Sequence, residues 1–479
     1  MTAKARVVVL GAGPAGLGAA YRLSREWRAD VTVIERNGRL GGNAASFDLA
    51  GVRVDHGSHR LHSACDPRVL ADIRGLLDGD LLDRPRQGRI RLRGRWIHFP
   101  LEPLDLVRRL PPSFALGIGI DLATRVARQR IGGAERPAEE ESFASVLEAG
   151  LGRTICRDFY FPYARKIWGL PPEELSAIQA RRRVSAGSVG MLAGKVASML
   201  PGLKSAGRGR YYYPRHGYGQ IAEAYGEATR AAGARIHLNT GVEAVETGPR
   251  RQVVTVAHDG ERRAIEADYV WSTIPLTALA RLLRPSPPPD YLDAAARLAS
   301  RAMILIYLVL DRERFSPFDA YYFPEPDIPI TRLSEPKNFS DGYGAPGVTV
   351  LCAELPCSPE DPVWSQSDGE LSRIVCDALA RVGQPVTAKI TQVAARRIRH
   401  AYPIYRRGYE VHFDRLAGWV DDLDGLLTFG RQGLFAHDNL HHALFMAYSA
   451  ADCLGRDGRF DRAQWQAYRR IFSTHVVED

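Results

Sequence analysis

Cysteine is scarce in this chain: six residues among 479, at positions 65, 156, 352, 357, 376 and 453, with no CxxC pair. Such spacing offers neither a disulfide framework nor a zinc–thiolate site, and it fits a reducing compartment, so a cytoplasmic location is expected. Long apolar runs are missing as well. The nearest, FALGIGIDLATRVA, is broken by Asp121 and Arg125, short of the roughly 18 apolar residues of a spanning helix. The start, MTAKARVVVLGAG, enters a strand-like run at once and lacks the longer apolar region and cleavage site of a signal peptide. Internal repeats, low-complexity segments and nucleic-acid motifs are absent too. What remains is an ordinary globular composition, 45% hydrophobic and 25% charged, long enough for two or three associated domains. Basic residues outnumber acidic ones, 64 to 55, and the surplus of +9 is mostly arginine. It points to a small anionic partner such as a phosphate-bearing molecule, or to peripheral contact with an anionic lipid surface, and not to nucleic acid. Homo-oligomerisation stays open.

Glycine is where the chemistry begins. RVVVLGAGPAGLGAAYRL reads as a short buried strand (Val7 to Leu10), a glycine turn and a helix from Pro14. Gly11, Gly13 and Gly16 form G-x-G-x-x-G. A second apolar strand, DVTVIE, ends at Glu35, 19 residues after Gly16. That order is the dinucleotide-binding arrangement. One glycine makes the tight turn, one lets backbone approach a pyrophosphate, and one lets helix pack on strand. The helix N-terminus presents unpaired N–H groups to the phosphates, and the terminal acid holds a ribose hydroxyl.

The next residues, ERNGRLGGNAASF, place Arg36, Arg39, Gly41 and Gly42 directly after the acid. This resembles the extended fingerprint of FAD-binding flavoproteins of the glutathione reductase and amine oxidase type. The resemblance implies that the Gly41-Gly42 turn passes beside the flavin diphosphate and ribityl chain.

Downstream, strand-like, helical and β-rich stretches alternate, and LLTFGRQG again reads as a strand entering a glycine turn. The predicted fold is α/β: a discontinuous Rossmann-like FAD-binding domain with helical and antiparallel-sheet insertions. Its pieces are expected at 1–100, 206–280 and 411–479, with a helical substrate or lid domain at 101–205 and a β-rich substrate domain at 281–410.

The similarity extends over nearly the whole chain, which resembles a UDP-galactopyranose mutase-like member of the flavin amine oxidase and protoporphyrinogen oxidase clan. DHGSHRLHS is similar to that family's loop over the flavin and puts Gly57 and His59 there. FPYARKIWGLPPEELSAIQARRRV is similar to its lysine-x-tryptophan-glycine segment, here Lys166, Trp168 and Gly169. An arginine fourteen residues after that tryptophan contacts the substrate diphosphate in the family, and an ungapped count lands on Arg182. Arg301 is the candidate for the second diphosphate arginine. In FGRQG, Arg431 follows Gly430 as in the mutases, where amine oxidases of the clan usually carry an acid. Val242, Asn439 and Leu440 complete the implied cofactor contacts. The chain departs from the mutase pattern at His437 and Asn439, where the mutases carry tyrosine and aspartate.

The resemblance implies FAD and catalytic candidates Arg182, Trp168, His59, His437 and Arg301. Two reactions stay open. One is a redox-neutral pyranose–furanose rearrangement of a nucleotide-activated sugar, which needs reduced flavin and accommodates NAD(P)H as reductant. The other is net oxidation of an amine, porphyrin or isoprenoid-type substrate. The stretch GRQGLFAHDNLHHAL also keeps three readings. His437, His441 and His442 could be metal ligands, helix-end or solvated histidines, or the edge of the flavin site, with Asn439 capping a helix whose positive end faces the flavin and His437 facing the substrate.

Overall fold

The computed structural model describes residues 4–100, 108–131, 140–183, 209–249, 251–340 and 344–477. Parts of the expected helical segment, 101–107, 132–139 and 184–208, lie outside the described residues.

Five strands form a parallel sheet. They are β1 (Ala5–Leu10), β2 (Ala29–Ile34), β3 (Arg235–His237), β4 (Tyr269–Ser272) and β5 (Leu426–Thr428), in the spatial order β3-β2-β1-β4-β5. The runs VVVL and VTVI are almost wholly buried. Continuous apolar strands of this kind suit a parallel sheet covered on both faces. On one face lie helix α1 (Pro14–Arg25), the helix Gln220–Ala231 and helix α2 (Leu440–Asp452). A Cβ on Gly18 would come within 2.7 Å of the Leu444 side chain, so glycine here allows α1 to pack closely on α2. Val8, Leu10 and Ile34 pack on the other face, against Val245 and Val254 of a small mixed sheet and against Leu279 and Leu416.

A seven-stranded sheet makes the second layer. Its order is Ile390–Pro403, Ser300–Asp311, Val348–Cys357, Arg332–Ser334, Ala320–Tyr322, Gly88–Leu92 and Arg95–Phe99. The central strand, SRAMILIYLVLD, is buried from Ala302 to Leu310, and helix Asp368–Arg381 packs on it. The hairpin 88–99, within the expected first piece 1–100, joins this second sheet, because Gly88–Leu92 pairs in parallel with Ala320–Tyr322. Helices Pro112–Ile131, Phe143–Leu151, Phe161–Trp168 and Ala177–Arg183 cover the hairpin side through Phe114, Phe143 and Trp168. Among the described residues, no helix is long and apolar enough to cross a membrane.

Candidate flavin site

The site begins where β1 ends. Gly11 takes a left-handed conformation (φ +100°), and its N–H donates to the Ile34 carbonyl at 2.8 Å, folding the turn over the end of β2. Gly16 is required for packing: a Cβ there would lie 1.9 Å from the Gly11 carbonyl oxygen. Gly13 differs, since a Cβ added to it meets nothing within 4 Å. It caps α1 without a side-chain hydrogen bond, and the first turn holds no acid. The helix thus offers its first N–H groups and its positive end to an open space of the right character for a diphosphate.

Glu35 is buried at the end of β2. Its carboxylate accepts from the Ala12 N–H at 2.9 Å and from the Asn37 N–H and Nδ2 at 2.9 and 2.6 Å. The Gly41 N–H donates to the Ala12 carbonyl at 2.8 Å, and a Cβ on Gly42 would be 3.4 Å from Gly13 Cα. The second glycine turn is therefore packed against the first.

A cavity of about 1240 Å³ runs from these turns across the sheet ends. Gly11, Gly13, Glu35, Arg36, Arg39, Gly42, Gly57, His59, Val242, Arg431, Asn439 and Leu440 all line it. Gly16, Gly41 and Gly430 stand behind its wall. At Gly430 a Cβ would approach Ala15 Cβ to 2.6 Å, so this glycine lets the end of β5 touch α1.

Beyond Gly430 the chain turns back. The buried Arg431 guanidinium donates to the carbonyls of Asp438 (3.0 Å) and Ala401 (2.7 Å) and lies 5.3 Å from the Tyr402 ring. Burial pulls its pKa below the usual arginine value. Asn439 is the N-cap of α2, and its N–H donates to His442 Nδ1 at 3.3 Å. The positive end of α2 faces the cavity through Asn439, Leu440 and Ala443.

The predicted catalytic residues separate into two layers. His59 is on the wall, stacked on Tyr218, with Nε2 3.0 Å from both the Asn43 and His56 carbonyls. Burial lowers its pKa, opposed by the Asp55 carboxylate. His437 and Trp168 are not on the wall. His437 is 1% exposed and enclosed by Trp168, Tyr402 and Tyr405. Burial, with Arg183, Arg431 and Arg182 nearby, holds His437 neutral. The expectation that His437 faces the cavity is corrected accordingly. Trp168 packs on Phe143 and His437 in the helical layer.

Arg182 and Arg301 also stand off the cavity. Arg182 donates to the Tyr405 hydroxyl at 2.9 Å and accepts at its carbonyl from the Val477 N–H at 2.8 Å. Arg301 donates to Ser358 Oγ at 2.6 Å, and its guanidinium fills the space beside Gly169. Arginines that do line the cavity are Arg60, Arg86, Arg183, Arg332 and Arg431. Arg183, the residue after Arg182, lines the cavity, as one residue turns a helical side chain by about 100°. Arg332 and Glu354 sit directly opposite one another on adjacent strands, with Nη2 and Nε of Arg332 at 2.7 and 2.9 Å from Glu354 Oε1. Glu354 also accepts from the Ser58 N–H at 3.0 Å, beside Gly57. Alternation places both on one sheet face, but the pairing joins distant segments and carries no local motif.

Asp438, His442 and His475 gather close to α2, with carboxylate–imidazole distances of 3.7 and 3.5 Å. The His442 and His475 rings stack at 4.3 Å and 16°, so their planes do not converge on one point as two ligands of one ion would. His475 was not foreseen, since it lies 33 positions beyond His442 in an unremarkable stretch.

A glycine turn before a helix N-terminus, a buried acid at the end of β2, a second glycine turn and a long cavity under another helix N-terminus have the arrangement of a dinucleotide-type flavin site. The comparisons agree. The profile of the flavin containing amine oxidoreductase family matches residues 14–436. The chain therefore belongs to the flavin-containing amine oxidoreductase family; it is a flavin-dependent enzyme, and its cofactor is FAD. It is 28% identical over 298 residues to a chain of Mycobacterium tuberculosis named as a flavin-containing monoamine oxidase, covering 60% of this chain and 61% of that one. It is 28% identical over 174 residues to protoporphyrinogen oxidase 2 of Arabidopsis thaliana, covering 36% and 34%. The chain thus spans less than two thirds of the curated relatives it matches. Among solved structures, reduced UDP-galactopyranose mutase superposes with a TM-score of 0.80 at 20% identity, over 99% of this chain and 100% of that one. Cyclohexylamine oxidase from Brevibacterium oxydans gives 0.67 at 15%, over 98% and 100%. At these identities the structural likeness establishes the fold alone.

Proposed function

We propose that the enzyme rearranges a nucleotide-activated sugar, or a related diphosphate-bearing substrate, in a redox-neutral mutase-like reaction. The carrying observation is the arginine lining of the cavity beyond Gly57: Arg60, Arg183, Arg332 and Arg431 surround a space edged by Tyr163 and Tyr402. Arg60 is held by Asp319 at 3.2 Å and Arg332 by Glu354, so both guanidinium groups are fixed before a ligand arrives. Arg183 and Arg431 both lie against the Tyr402 ring, at 5.6 and 5.3 Å. Fixed guanidinium groups bind phosphate oxygens in pairs with little ordering cost. Bound in its reduced form, FAD supplies an electron-rich N5 that can act as a nucleophile. The residues here would orient the diphosphate as leaving group, and Gly57 keeps side-chain bulk off the reacting edge.

A second reading, net oxidation of an amine or porphyrin-type substrate, is favoured by the names of the sequence relatives. Both readings meet one anaerobic experiment. Chemically reduced enzyme, freed of excess reductant, is mixed with a panel of nucleotide sugars. The mutase-like reading expects many turnovers with the flavin still reduced. Product that forms only with oxidised enzyme, one flavin reduced per product, would decide for the oxidoreductase.

A further inference from the structure

Six further arginines line the same cavity: Arg36, Arg39, Arg281, Arg396, Arg397 and Arg399. All are exposed, and none forms an ion pair with a carboxylate among the described residues. They come from three separate places: the turn after β2, the helix Leu276–Leu282, and the strand Ile390–Pro403 at the edge of the seven-stranded sheet. Aromatic and backbone contacts hold the last three. Arg396 lies 4.8 Å over Phe47, Arg399 lies 5.6 Å over Trp364, and Arg397 donates to the Trp364 and Gln366 carbonyls at 2.5 Å. Glu35, also on the wall, accepts from Ala12 and Asn37 and gives one counter-charge, felt by Arg39, against six arginines.

Exposed like charges gathered without counter-charges repel one another. The neighbours register it. His400 is depressed by burial and then by Arg36, Arg399 and Arg281, and Arg39 by burial and then by Arg396. The Gly11–Gly16 turn and the N-terminus of α1 are built to take the two phosphates of FAD. The rest of the positive charge faces open solvent at the cavity mouth.

We propose that this arginine rim is a second anion site, which holds the phosphates of a polyphosphate-bearing ligand over the adenosine end of bound FAD. The guanidinium groups offer planar, always-charged forks suited to phosphate oxygens. Their origin in three elements would let one ligand bridge the flavin domain and the second sheet.

The test uses FAD-saturated protein and isothermal titration at low salt. Inorganic tripolyphosphate is the first probe and ADP the second. Saturable one-to-one binding that weakens as salt is raised is expected. The double variant Arg396→Ser/Arg399→Ser should bind about a hundred-fold more weakly, at roughly ten-fold per lost charge-assisted contact. Its flavin-to-protein absorbance ratio and melting temperature should stay those of the wild type. Arg399→Lys, which keeps the charge, should lose only part of the affinity. If ADP binds at least ten-fold more tightly than tripolyphosphate, the ligand is a nucleotide; equal affinities mean that the phosphates alone are read. The proposal is overturned by non-saturable binding, by variants that bind as the wild type does, or by variants that lose FAD in parallel with the probe. Binding only to phosphatidylglycerol vesicles and not to tripolyphosphate would overturn it too, and would make the rim a lipid-docking surface.

Discussion

Single residues in this site divide by what a side chain would displace. Gly13 and Gly16 belong to one motif, yet they predict opposite phenotypes. The Gly13 backbone is extended, at φ −78° and ψ 177°, and has open space before it. Gly13→Val should therefore fold, with the melting temperature of apo-protein kept, and lose flavin absorbance because the new methyls occupy the diphosphate space. Gly16→Val would drive a side chain into the Gly11 carbonyl and should lose soluble, folded protein altogether. Full flavin content in purified Gly13→Val would break this assignment. The arginine pair 182 and 183 makes a parallel case. Arg182→Ala removes a hydrogen bond to Tyr405 and should cost about 1–3 kcal/mol of stability, read by denaturant titration, with substrate affinity little changed. Arg183→Ala opens the wall and should weaken substrate binding about ten- to a hundred-fold at unchanged stability. If the two phenotypes are exchanged, Arg182 is the substrate ligand after all.

At the scale of elements, local signals were legible and pairings between distant segments were not. Strand, glycine turn, helix, strand and acid all lie within the first 35 residues, so β1, α1, β2 and Glu35 could be read directly, and Asn439 could be read as the cap of α2. The hairpin 88–99 was also legible as a hairpin. Its sheet was not, because the partner Ala320–Tyr322 lies more than two hundred residues away. The same limit hid Arg332 and Glu354, each unremarkable alone and paired only by strand register. Helix α2 supports a pH prediction. Burial, then neighbouring histidines, pushes His441 down to about 2, and burial pushes His442 down to about 4 despite Asp438. Both pKa values lie below the ordinary value near 6.5, so the unfolded chain binds more protons in between. The stability tied to these neutral rings is present above about pH 6.5 and is lost as pH falls toward 4. Thermal melts from pH 7.5 to 4.5 should decline, and His441→Leu should flatten the decline by up to about 1.4 kcal/mol per pH unit. An unchanged slope would mean that His441 is not buried as a neutral group.

Across the whole molecule, the cavity is the meeting place of segments that local folding leaves apart. Its wall takes the first glycine turn, the 35–44 loop, Gly57 and His59, Val242, the 273–282 turn and helix, the 396–402 strand, and the 431–443 stretch. These stretches span both sheets, and Arg431 and Gln432 fasten the last of them to the carbonyls of Ala401 and His400. A dinucleotide held by the first glycine turn, the 35–44 loop, Val242 and the 431–443 stretch would bind the folded chain and have nothing equivalent to bind in the unfolded one. Folding and cofactor binding are therefore linked by mass action. At free FAD a thousand-fold above its dissociation constant, the linkage is worth about 4 kcal/mol. Apo-protein prepared by mild flavin removal should melt several degrees below holoenzyme, and the midpoint should climb as FAD is titrated back. AMP reaches only the nucleotide end and should recover part of the shift. Riboflavin reaches only the ring end, near Gly57 and Arg431, and should recover less, because it has no phosphates for the Gly13 turn. If apo- and holoenzyme melt together, the stretches around the cavity hold one another without the cofactor. FAD would then be a guest in a finished cavity, not a part of what joins the two sheets.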